Sequence, residues 1–168
     1  MAAEGLLLLY SEGFPTEVFG EAKADVPGLL RAVMPVHEAE GRMLRRLPVV
    51  AQARNGVMAQ SIRAFLADRP VVDIPGVTAS TRLLVLAGHD TNLDAMAVIF
   101  GLSWTFPDQP DSTAPDTVLA FERWRYPDRH VEVKVRIFHQ SLEELRTGQA
   151  SDVERSMQTL EPRNAILP

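Results

Sequence analysis

The chain contains no cysteine. Disulfides, thiol catalysis and cysteine-ligated metals are thereby excluded, and the composition carries no mark of a redox compartment. Long apolar runs are missing too. The opening one, Leu6 to Tyr10, is far too short for a signal peptide or a membrane span. Basic charge is outweighed, with 17 Lys and Arg against 22 Asp and Glu and a net charge of -5. Nucleic acid and anionic membranes favour basic surfaces, so neither is expected as a partner. A phosphorylated ligand stays open, because a pocket's local charge can oppose the overall sign. The four histidines, at positions 37, 89, 130 and 139, have no metal-site spacing. No internal repeat or low-complexity segment is found. What is present is ordinary for a folded domain: 168 residues, 46% of them hydrophobic, are enough for a real core.

Leu6 to Ser11 fits a strand or the end of a buried helix, since periodicity cannot separate the two in so short a run. Gly13-Phe14-Pro15 breaks it. From Asp25 to Leu66 the pattern is helical. Leu29, Leu30, Val33 and Met34 make one apolar face, and Met43, Leu44 and Leu47 the next. Pro35 and Gly41 are expected to interrupt the first helix, whereas Pro48 suits the opening turn of a second one, ended by Arg69-Pro70. Arg82 to Ala87 (RLLVLA) is a nearly continuous apolar run, as expected of a strand buried on both faces. A helix follows from Leu93 to Phe100, closed by Gly101. Thr91 and Asp94 resemble a capping box that sets the helix start at His89-Asp90. Val118 to Trp124 and Val131 to Phe138 alternate like two strands joined by a turn at Pro127-Asp128. Ser141 and Glu144 form another capping-box pattern, opening a helix that ends by Gly148. The tail from Ser151 reads as irregular.

One constellation carries chemistry. His89 and Asp90 fall where the apolar strand gives way to a helix. Ligands of open α/β sheets bind at such strand ends. The free N–H groups and positive end of the helix suit an anion such as phosphate. A histidine there donates hydrogen bonds to phosphate oxygens, and a carboxyl group serves as general acid. The plainer alternative is that Asp and Thr at such a turn simply cap the helix, beside a structural histidine.

The stretch LLVLAGHDTNLDAMAVIFGLSWTFPDQPDSTAPDTVLAFERWR, Leu83 to Arg125, resembles a block of the bacterial histidine acid phosphatases of the phytase type. LLLLYSEGFPTEVFG (Leu6 to Gly20) and VHEAEGRMLRRLPVVAQAR (Val36 to Arg54) resemble segments that precede it, so the likeness runs from about Leu6 to Arg146. It implies the C-terminal half of an α/β phosphatase fold, a sheet with flanking helices. Residues 1–76 would belong to a helical cap segment and residues 77–168 to the α/β domain. It also implies two-step phosphoryl transfer without metal or other cofactor. His89 would contact the phosphate, and Asp90 would protonate the leaving oxygen. Thr91 would line the phosphate pocket, and Arg54 would reach a substrate phosphate. The family's nucleophile lies in an Arg-His-Gly-x-Arg-x-Pro motif that does not occur here; Arg129-His130 is followed by Val131 and reads as a solvated hairpin residue. The nucleophile-bearing N-terminal half is therefore expected outside this chain, as a partner alongside the phosphorylated small molecule. Thr-Asn after the pair leans toward phytate and similar substrates. Family members are periplasmic or secreted, although no signal peptide is seen here.

Phe14 and Glu17 lie in a loop that borders the substrate pocket in the family, although Phe14 equally suits the core. Arg42, Arg45 and Arg46 form a basic cluster near His37 that reads as a solvated face, with a substrate role as the alternative, and Trp104 and Trp124 read as packing residues. Three readings stay open: half of a working phosphatase, an inactive relative that binds phosphorylated ligands or a partner chain, and an interaction domain in which the His-Asp pair is incidental. A lone half would expose an apolar sheet edge.

Overall fold

A computed structural model describes residues 2–167. The ambiguous opening run is a helix, α1 (Ala2–Ser11), burying Ala3, Leu7 and Tyr10 along one face. A 3-10 segment, Thr16–Ala24, carries the chain across to α2 (Val26–Leu44). The Asp25 side chain caps α2 by accepting the Gly28 N–H at 2.9 Å. Neither Pro35 nor Gly41 interrupts α2, contrary to the sequence expectation. Pro35 lies on the exposed face, where its lost hydrogen bond is least costly. Gly41 is buried on the face formed by Val26, Leu30, Met34 and His37. Pro48 opens α3 (Pro48–Leu66) as expected, but the helix stops before Arg69-Pro70, with Asp68 in the left-handed region at φ 54°.

The apolar residues gather into two clusters. One joins α1 and α2 to Phe19 and to Leu142 of α5 (Leu142–Thr147). The other packs Ala51, Ala59 and Leu66 of α3 against Ala95, Met96 and Phe100 of α4 (Asp90–Phe100) and against the sheet. Phe100 is fully buried and meets Phe121 with ring centroids 4.9 Å apart. Burying such a side chain contributes about 1.5–3 kcal/mol. The helical segment before residue 76 thus supplies α3 to the same cluster as the sheet.

The hairpin forms as read: β1 (Val118–Arg125) and β2 (Val131–Phe138) are antiparallel, with Val118 opposite Phe138 and Arg125 opposite Val131. The tail is not irregular. Asp152 caps a short helix, α6 (Val153–Ser156), and β3 (Met157–Leu160) pairs antiparallel with the far edge of β2. The sheet order is β1-β2-β3, which among the described residues leaves one edge of β1 without a paired strand.

The larger correction concerns Arg82 to Ala87. The segment is not a strand buried on both faces; it joins no sheet, and Leu83 and Val85 are each 77% exposed. A strand exists only through its neighbours' hydrogen bonds, and among the described residues none of the three strands pairs with this segment. The segment and β1 instead line an open trough of about 840 Å3, together with Met58 and Ile62 of α3 and Leu93 and Met96 of α4. The trough is therefore apolar and is bordered by backbone with unspent hydrogen-bonding capacity. Among the described residues, no helix is long and apolar enough to cross a membrane.

Candidate active site

The turn from Gly88 into α4 is built by one asparagine. Asn92 Oδ1 accepts the His89 N–H at 2.7 Å, and its Nδ2 donates to Asn55 Oδ1 on α3, also at 2.7 Å. A Cβ on Gly88 would meet Asn92 Oδ1 at 2.9 Å, so glycine is what lets that side chain fold over the turn. His89 is the N-cap, with extended backbone (φ -125°, ψ 172°), and its ring is exposed. The helix therefore starts at the His89-Asp90 pair, as read, but two residues earlier than a Thr91 cap would place it. Thr91 is inside the first turn, and Asp94 has a different role from the one expected of a capping-box acid.

Asp90 occupies the first helical position, where the dipole favours an anion. Its Oδ1 accepts the Thr91 N–H at 2.6 Å, and its Oδ2 is held by Arg45 Nη1. One turn further, Asp94 is completely buried. Its Oδ1 lies 2.6 Å from Arg46 Nε and its Oδ2 3.0 Å from Arg45 Nε, the second contact being an ion pair outside hydrogen-bond geometry. Arg46 also donates to Ser112 Oγ at 3.0 Å and lies 3.4 Å from Glu38. The loop carrying Ser112 is tied down in turn, because the Trp104 indole donates to the Ser112 carbonyl at 2.8 Å. Burial alone would lower the pKa of Arg45, but the carboxylates of Asp94 and Asp90 outweigh it and hold the guanidinium above its ordinary value.

Arg45 and Arg46 are thus not a solvated face; only Arg42 of that cluster is exposed. Arg54 lies exposed on α3, one residue before the Asn55 bridge, with no ion pair among the described residues. Phe14 is 46% exposed, which removes it from the core, and Glu17 is exposed as well. Trp124 is a surface residue, not a packing one: its ring lies under Lys134 at 4.7 Å and its indole donates to Glu122 at 2.9 Å. His130 is exposed on the hairpin turn, as expected.

The structure therefore brings His89, Asp90 and Thr91 together at one helix start beside the open trough. It adds Arg45, Arg46, Asp94 and the two asparagines, which local sequence patterns do not reveal. Asp90 and Asp94 do share a helix face by spacing, but the arginines facing them come from 45 or more residues away. Chemically, the site offers an exposed imidazole, a carboxyl group at a helix start and a partly buried guanidinium.

No family model matches the chain. Phytase AppA of Escherichia coli (strain K12) is 34% identical over 148 residues, which is 87% of this chain and 34% of that protein. The Hafnia alvei phytase, solved in complex with tartrate, superposes with a TM-score of 0.84 at 27% identity, covering 95% of this chain and 40% of its own. The phytase from Citrobacter braakii gives 0.79 at 28% identity, over 96% of this chain and 41% of that one. The chain spans about a third of the curated relative's length. In sequence and in fold alike, the chain is similar to a part of the bacterial phytases, proteins of the histidine acid phosphatase fold.

Proposed function

We propose that this chain forms the proton-donor side of a phosphomonoester-hydrolysing site of the 4-phytase type. Asp90 protonates the departing oxygen, and His89 binds the phosphate. Thr91 and Arg54 contribute substrate contacts. The nucleophilic histidine and its arginine clamp come from polypeptide outside these 168 residues, since no Arg-His-Gly-x-Arg-x-Pro motif occurs within them. In the first step the nucleophile's nitrogen bonds to phosphorus while the ester P–O bond breaks, and the Asp90 proton passes to the leaving oxygen. Water then attacks the phosphohistidine and returns a proton to Asp90, releasing phosphate. Phytate and related polyphosphorylated molecules are the substrate class, in a periplasmic or secreted setting.

The observation that carries this reading is the placement of His89 and Asp90 at a helix start that opens onto the trough. Among the described residues, both borders of the trough, the segment 82–87 and the outer edge of β1, lack a strand partner. An added strand would satisfy those backbone groups and cover the apolar lining. The second reading, a catalytically inactive phosphate-binding or interaction fragment, draws on the ion pair that already occupies Asp90.

The test is hydrolysis of p-nitrophenyl phosphate at mildly acidic pH. The chain alone should be inert, and mixing it with the N-terminal part of the Escherichia coli phytase should produce turnover that His89→Ala or Asp90→Ala abolishes. An inert mixture in which phosphate still binds the chain, and is lost on His89→Ala, would favour the second reading. Robust turnover by the chain alone would contradict the assignment of the nucleophile to another segment.

A further inference from the structure

Resting on that reading of the site, one cation is already in place beside Asp90. Arg45 terminates α2, and its guanidinium folds back across Gly41. A Cβ on Gly41 would meet Arg45 Nη2 at 2.9 Å and Nε at 3.3 Å, so the absent side chain is what makes the seat. From this seat the side chain spans two carboxylates, Asp94 through Nε and Asp90 through Nη1. The two partners differ in kind. Asp94 is wholly buried and also held by Arg46, which makes it a fixed anchor. The Asp90 side chain keeps 29% exposure at the mouth of the site.

A planar guanidinium with five donors can keep its Nε contact while its outer nitrogens change partner. A phosphate group beside His89 offers a higher charge and more acceptors than Asp90 does. Asp90, for its part, has both oxygens engaged, and a proton bound for a leaving oxygen must sit on one of them. We propose that Arg45 is a phosphate-positioning residue: anchored on Asp94, it rests on Asp90 before phosphate binds and then turns its outer nitrogens to the phosphate, releasing Asp90 Oδ2 to carry the proton. Substrate binding and arming of the acid are then one event.

The experiment is a titration of the full chain with inorganic phosphate, followed by the backbone N–H signals of residues 89–92 and the side-chain Nε–H signal of Arg45 in nitrogen-15 NMR. All should move together with a single Kd. Arg45→Gln should raise that Kd about tenfold or more, as expected for a lost charge-assisted hydrogen bond. Arg45→Lys keeps a cation for Asp94 but not the fork, so it should fall between the two, and it carries the comparison if the Gln variant fails to fold. Asp90→Asn should tighten binding when Arg45 is present and have no effect in the Arg45→Gln background. Equal tightening in both backgrounds would mean simple charge repulsion and would overturn the proposal. So would an unchanged Kd in both Arg45 variants while His89→Ala abolishes binding, a result that leaves the site itself standing. No phosphate response at residues 89–92 in either the parent or Asp90→Asn would overturn the proposal and the site together.

Discussion

Replacing Asp94 with alanine removes an anion that Arg45 and Arg46 share. Asp94 is fully buried, 2.6 Å from Arg46 Nε and 3.0 Å from Arg45 Nε. Deleting one partner of a buried ion pair costs about 3–5 kcal/mol, chiefly because the other charge is stranded. Here the two arginine side chains retain 19% and 26% exposure, and each keeps another carboxylate, Asp90 or Glu38. Water and those partners recover part of the loss, leaving about 2–3 kcal/mol. That is a large share of a total stability of about 5–15 kcal/mol. Urea unfolding followed by far-ultraviolet circular dichroism should show it. With a denaturant slope of about 2 kcal/mol per molar, the midpoint falls by about 1–1.5 M. Asp94→Asn, which keeps an acceptor for Arg46, should lie between. If stranded charge is the cause, the penalty should largely vanish in an Arg45→Met, Arg46→Met background. A midpoint shift below about 0.25 M for Asp94→Ala would refute the reasoning, because it would mean that the arginines lose nothing without their anchor.

Burial pushes the Asp111 carboxyl above its ordinary range, against the lowering pull of the Thr113 N–H and of His37. A raised folded-state pKa means that the native state holds a proton the unfolded state has lost. The stability it contributes is full below the unfolded value of about 3.9 and is lost as pH rises through the folded value. Asp111→Asn, which keeps the acceptor for Thr113, should therefore lose less thermal stability between about pH 4 and pH 7 than the parent does, and parallel pH curves would count against this. Ser141→Ala removes the cap that accepts the Glu144 N–H at 3.2 Å, and urea unfolding should register a cost of about 1 kcal/mol. Asn55→Ala breaks the 2.7 Å bridge to Asn92, costing about 1–2 kcal/mol, and should speed amide exchange at residues 89–92. Unchanged exchange there would show that the bridge does not hold the turn.

What could be read from the sequence was what the chain settles locally. The Ser141 and Glu144 capping box, the glycines at 101 and 148 that end α4 and α5 in the left-handed region, Pro48 at the start of α3 and the β1-β2 hairpin all depend on neighbours a few residues away. Features that depend on a distant partner were misread or missed. Met157–Leu160 has weak alternation and is a strand only because β2 offers it an edge. Arg82 to Ala87 has the composition of a buried strand, but pairing is a property of two strands, and among the described residues this segment has no second one. Pro35 and Gly41 read as breaks because local propensity takes no account of which face they occupy. The same holds at the site. His89 and Asp90 stand out by their place before a helix and by family likeness, whereas Arg45, Arg46 and Asp94 become a unit only when α2 ends beside α4.

The assignment of Asp90 as proton donor is tested most directly by varying the leaving group in the chain complemented with the nucleophile-bearing part of a relative. An alkyl phosphate needs a proton on its departing oxygen, whereas p-nitrophenolate departs readily without one. Asp90→Asn should slow alkyl phosphate hydrolysis by about 100- to 10,000-fold, the usual range for a lost general acid, and p-nitrophenyl phosphate far less. Equal losses on both substrates would contradict a proton-donating role for Asp90.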